Sequence, residues 1–162
     1  MDTIIFEADS GGLELATKDK VHITNRIGKF GHSQQKMTEF IGLLARHPTV
    51  IKRSANTDMY NCHGLVFAAR RTNIDDTMEV RKILEHDEYV EIKKESVLPG
   101  DIIIYYGDRN DAEHSGIVIE KGEDPLYIPR IISKWGQLEE YIHSANDCDY
   151  DFLKARYYRM RI

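Results

Sequence analysis

The chain is expected to fold as an α+β protein in which an antiparallel sheet packs against a helical layer. Apolar residues recur at helical spacing only in the first part of the chain, at Met37, Phe40, Ile41, Leu43 and Leu44 and again at Met78, Val80, Ile83 and Leu84. The later part instead holds short runs rich in Ile, Val and Tyr, divided by polar turns. Helices first and strands after is the order of an α+β fold rather than of alternating βαβ units.

Residues 1 to 33 mix short apolar stretches with glycines, among them Gly11, Gly12, Gly28 and Gly31, which predicts a turn-rich or weakly stranded lead-in. An amphipathic helix follows from Gln34 to His47, closed by Pro48. Ser54 to Asn61 is polar and leads into a second helix over about Cys62 to Arg71, with Leu65, Val66, Phe67 and Ala68 on its buried side. The third helix spans Asp75 to Asp87, capped by Asp75, Asp76 or Thr77. Strands are expected at Tyr89 to Ile92, Asp101 to Tyr106, His114 to Glu120, Tyr127 to Ser133 and Lys154 to Met160.

With 162 residues the expectation is one domain with a proper core: residues 1–57 form a lead-in and helix, and 58–162 the part that carries the chemistry. A net charge of −5 argues against a dedicated nucleic-acid binder, which needs a basic face to neutralise phosphates. Arg70, Arg71, Arg156, Arg159 and Arg161 leave room only for a local basic patch. Met1 to Asp9 has neither a cationic start nor a long apolar run, so no secretory signal or membrane span is expected and the location read from sequence is cytoplasmic. Two cysteines permit at most one disulfide, and a reduced compartment keeps Cys62 a free thiol.

Cys62 is the candidate nucleophile. It stands in Asn61-Cys62-His63-Gly64 directly before an apolar run, so it opens a helix, where unpaired N–H groups and the helix dipole stabilise a thiolate. His114 opens a strand after a polar loop, within His114-Ser115-Gly116, and is the candidate general base. Gly116 is read as leaving space for a substrate backbone beside the imidazole. His63 neighbours the nucleophile, but adjacent helical side chains point about 100° apart, so it is assigned to substrate binding as a cleft wall, or else to solvent. The backbone N–H of Cys62, with a further donor from Asn56, Tyr60 or Asn61, would form the oxyanion hole. His143, Asp147 and Cys148 lie close in sequence without a zinc spacing, and no phosphate loop is present, so neither metal nor cofactor is expected.

Asn61-Cys62-His63-Gly64, then Pro99-Gly100-Asp101 with the strand Ile102 to Tyr106, then His114-Ser115-Gly116 with its strand, resemble in order and spacing the NlpC-like branch of papain-like cysteine peptidases and amidases. The resemblance covers roughly residues 58 to 134. Ser133-Lys134-Trp135-Gly136 and Tyr157-Tyr158-Arg159 resemble features of a little-characterised bacterial group of these proteins. The resemblance implies a papain-like fold and a cysteine hydrolase acting on an amide or isopeptide bond in a peptide or protein, peptidoglycan-type or intracellular. An acyltransferase using the same Cys–His pair, or an interaction domain without turnover, is also compatible with it. It further implies a polar residue on the strand beside the histidine's. That strand lacks the usual His, Asn or Gln; Ser133 takes the place by position, with His143 and Gln137 as fallbacks from the next segment. Trp135 either lines the cleft and stacks on a substrate peptide or packs in the core.

Overall fold

The computed structural model describes residues 12–28, 34–136 and 138–161. Three α-helices and seven strands make it up: α1 Gln34–Arg46, β1 Ile51–Lys52, α2 Cys62–Phe67, α3 Thr77–His86, β2 Tyr89–Ile92, β3 Ile102–Tyr106, β4 Ala112–Glu120, β5 Arg130–Lys134, β6 Glu140–Ser144 and β7 Ala155–Met160. The strands form one antiparallel sheet in the order β1-β6-β5-β4-β3-β7-β2, so the fold is α+β as expected.

β3 explains the layering. It reads Ile-Ile-Ile-Tyr-Tyr without alternation because it is covered on both faces. Ile102 and Ile104 join Ala68, Val80 and Ile83 in a core beneath α2 and α3. Ile103 and Tyr105 point the other way, into a second core with Val118, Ile131 and Tyr157. A third cluster, Phe40, Trp135, Leu138 and Tyr141, seats α1.

Several boundaries differ from expectation. α2 stops at Phe67 rather than Arg71, because Ala69 and Arg70 adopt positive φ (48° and 66°), which no right-handed helix accommodates. Arg70 then turns to Glu140, its Nε 2.5 Å from Oε1. β4 begins at Ala112, two residues before His114, and pairs Tyr105 with His114 but Tyr106 with Ala112, so Glu113 is the extra residue of a bulge. β5 starts at Arg130 instead of Tyr127, which sits at φ 51°. β1 and β6 were not expected. Of the lead-in, isolated bridges join Ala16 to His22 and Arg26 to Asn73; Gly11 and Gly31 lie outside the described residues.

Two segments of the sequence resemblance meet in one contact. Asp101 accepts from Leu98 N at 2.7 Å, closing the Pro99-Gly100 turn, and receives both Nε and Nη2 of Arg159 at 2.7 Å. The aspartate of that motif therefore works as a turn lock and a bidentate partner.

Candidate active site

Cys62 occupies the first position of α2 because Asn61 caps it: the Asn61 Oδ1 accepts from Gly64 N at 2.9 Å and from Ile74 N at 3.1 Å. The Asn61 amide donates to Ile74 O at 2.8 Å, so both ends of its side chain hold the helix start against the loop before α3. Gly64 allows that approach, since a Cβ there would fall 1.8 Å from Thr72 O. The glycine of the Asn-Cys-His-Gly cluster answers a packing need.

Cys62 as a whole residue is 9% exposed. Burial alone pushes its thiol up, but the charges of His63 and His114 bring it well below the ordinary thiol value. His114 lies in β4, fully buried, its ring stacked on Tyr150 with centroids 4.2 Å apart and planes 3° from parallel. Neither His114 nitrogen has a well-aligned hydrogen-bond partner among the described residues. The charge of His114 lowers the thiol, although no hydrogen bond joins the two side chains.

His63 is buried, and the solvent-facing alternative does not hold. Its Nδ1 lies 2.8 Å from Ser115 Oγ and its Nε2 3.0 Å from Ala112 O. Burial pushes the ring down, but the neighbouring Cys62 charge, the Ala112 carbonyl and Asp75 together raise it above the ordinary imidazole value.

Ser133 stands opposite Gly116 in the β4–β5 pairing. Its hydroxyl is 2.7 Å from His143 Nε2 and accepts from Trp135 Nε1 at 3.0 Å. His143 donates from Nδ1 to Ser144 O at 2.8 Å, so Nε2 carries the lone pair and the Ser133 hydroxyl donates to it. Burial holds His143 down at about 4, helped by the charge of His114. Ser133, His143 and Trp135 thus form one bonded group, without a hydrogen bond to His114. Gln137 lies outside the described residues. Gly116 faces β5: a Cβ there would meet Ile132 O at 2.9 Å and Ile131 Cδ1 at 3.0 Å, so the missing side chain admits the neighbouring strand and not a substrate.

Trp135 is both core and wall. It is 4% exposed and packs on Tyr141 at 4.9 Å, yet it borders a pocket of about 470 Å³ between α1, the turn after β5 and Tyr150. Tyr150 lines that pocket and also stacks on the fully buried His114; neither His114 nor Cys62 is among the lining residues.

Of the candidate oxyanion donors, Tyr60 donates its hydroxyl to Glu140 at 2.7 Å and Asn61 is consumed by the cap. The Cys62 N–H, at the first position of a helix, has no intrahelical acceptor and is available to an oxyanion.

Sequence reasoning missed Tyr150 and Lys134. Lys134 is fully buried, donating to Thr57 O at 2.6 Å and Gly136 O at 3.1 Å, with its amine 5.1 Å from the Tyr60 ring centroid. Burial brings it down to about 8 against the charges of Glu140 and Cys62. A lysine inside an apolar strand run was the available signal. Asp147 bonds to His47 and Thr49, and among the described residues no three His, Cys, Asp or Glu side chains form a group able to hold a metal ion. Both cysteines are free, and no helix among the described residues is long and apolar enough to cross a membrane. Compared with known proteins, the chain matches no family model, no curated protein and no solved structure.

Proposed function

We propose that the chain is a cysteine hydrolase of papain-like, NlpC type that cleaves an amide or isopeptide bond in a peptide or protein. What supports this reading is the capped helix start at Cys62, with a thiol that the charges of His63 and His114 hold well below its ordinary value, and a buried His114 whose two nitrogens have no hydrogen-bond partner among the described residues. The Cys62 thiolate attacks the carbonyl carbon, forming the C–S bond while the oxygen takes up charge at the Cys62 N–H. As the C–N bond breaks, the imidazolium of His114 gives its proton to the departing amine. His114 then takes a proton from water, whose hydroxide attacks the thioester and releases the carboxylate and the thiolate. An amine or alcohol entering in place of water would make the same site an acyltransferase.

A second reading, a domain of this fold that binds a peptide without turnover, draws on the stacking of Tyr150 over a fully buried His114. Exposure to a panel of acyl p-nitrophenyl esters separates the two. The hydrolase reading expects nitrophenolate release and a thioester on Cys62, seen by mass spectrometry, with loss of both in Cys62→Ala and about a hundredfold slower acylation in His114→Ala. Absence of the Cys62 thioester, or an adduct confined to Cys148, contradicts it.

A further inference from the structure

The two imidazoles beside Cys62 differ in what their nitrogens are free to do. His114 has both nitrogens uncommitted. His63 has neither: Nε2 faces the Ala112 carbonyl, which only accepts, so that nitrogen always carries a hydrogen. Its Nδ1 faces the Ser115 hydroxyl, which can donate to a neutral ring or accept from a charged one. Ser115 thus accommodates either protonation state without moving the ring. A ring so fixed cannot carry a proton to a leaving group, but it can hold a charge at a constant place.

We propose that His63 is a positioning residue that serves as the fixed cation beside Cys62, keeping the thiolate in place while His114 moves the proton. The inference rests on the reading of Cys62 as a nucleophile. Its consequence is chemical: once His114 has surrendered its proton to the departing amine, a single thiolate–imidazolium pair would be broken, whereas here a second positive neighbour remains for the returning thiolate. The other groups that face this pair are accounted for. Lys134 from β5 adds positive charge, Asp75 ahead of α3 favours a charged His63, and Tyr150, in the loop after β6 and stacked on His114, is raised by its burial and by the Cys62 charge. The charges of His63 and His114 lower the thiol against the effect of its burial.

The test reads the thiol without requiring turnover. Cys62 alkylation by iodoacetamide is followed across pH by peptide-resolved mass spectrometry in the unmodified protein, His63→Gln and His114→Gln. The proposal expects the Cys62 midpoint to rise by about one pH unit or more in His63→Gln, a roughly tenfold loss of alkylation rate on the acid side. An unmoved midpoint in His63→Gln overturns the proposal while leaving the hydrolase reading intact if His114→Gln still shifts it. An ordinary midpoint in the unmodified protein sinks both. Should His63→Gln fail to fold, the reciprocal measurement decides: in Cys62→Ala, NMR of the ring nitrogens should show the His63 midpoint falling by a similar amount, because coupled groups lend each other the same shift. An unchanged His63 midpoint there overturns the proposal.

Discussion

Whether a side chain can do chemistry depends on which of its atoms are already bonded. Residue type and spacing marked Cys62, His63, His114 and Ser133 in the sequence, but not how their hydrogen bonds are shared out. His63, assigned from sequence to a cleft wall or to solvent, is buried and fixed between Ser115 and the Ala112 carbonyl, both supplied by β4. Ser133 bonds to His143 and Trp135, and nothing in residue order reveals that pairing across β5 and β6. If these three act on the site as one unit, Ser133→Ala and His143→Ala should each slow acylation by about tenfold, and the double variant should be no slower than the worse single one. Multiplying losses in the double variant would show that the two side chains act separately.

At the level of elements, strands with apolar runs were legible, while the two-residue β1 and the polar β6 were not. β3 announces itself as five apolar or aromatic residues, whereas β6 reads Glu-Tyr-Ile-His-Ser and hides a buried Glu140 and His143 whose partners, Arg70, Tyr60 and Ser133, come from elsewhere in the chain. The start of α2 was legible from Asn61 and Cys62; its end was not, because the turn at Ala69 and Arg70 is fixed by contacts outside the helix. The cap carries a measurable load. Asn61→Ala should cost about 1–2 kcal/mol in urea unfolding, with a raised Cys62 midpoint because the helix start is released. Gly64→Ala, which presses a methyl group onto the Thr72 carbonyl, should cost about 2 kcal/mol or more. An unaltered midpoint in Asn61→Ala would separate the cap from the activation of the thiol.

Across the whole molecule, α1 is held to the loop after β6 by residues about a hundred positions apart. His47 bonds through Nδ1 to Asp147 and through Nε2 to Asp149, each at 2.7 Å, and Arg46 pairs with Asp149. Burial lowers His47, but the bonds to Asp149 and Asp147 outweigh it and raise the ring above its ordinary value. The sign follows. A raised imidazole gives its full stabilisation below the unfolded value, about 6.5, and loses it as pH climbs through the higher folded value. His47→Gln should therefore destabilise more at pH 6 than at pH 8.5 by about 1 kcal/mol or less, given the partial exposure of the carboxylates. A penalty independent of pH would mean that the charge of His47 contributes nothing to docking. α1 and the Asp149–Tyr150 segment also bound the pocket beside Trp135, and Tyr150 stacks on His114, so this tether holds a residue packed on the imidazole.

The central claim is that Cys62 is an activated thiolate, and the two cysteines of the chain form their own control. Burial raises Cys148, whereas the two imidazoles lower Cys62. Competition between the two for iodoacetamide from pH 5 to 9, quantified peptide by peptide in the native protein, reads that difference directly. The account predicts that Cys62 is alkylated at pH 6 at least tenfold faster than Cys148, with a midpoint well below the ordinary 8.5 of a free thiol. Equal rates, or a Cys62 midpoint at or above 8.5, would contradict it.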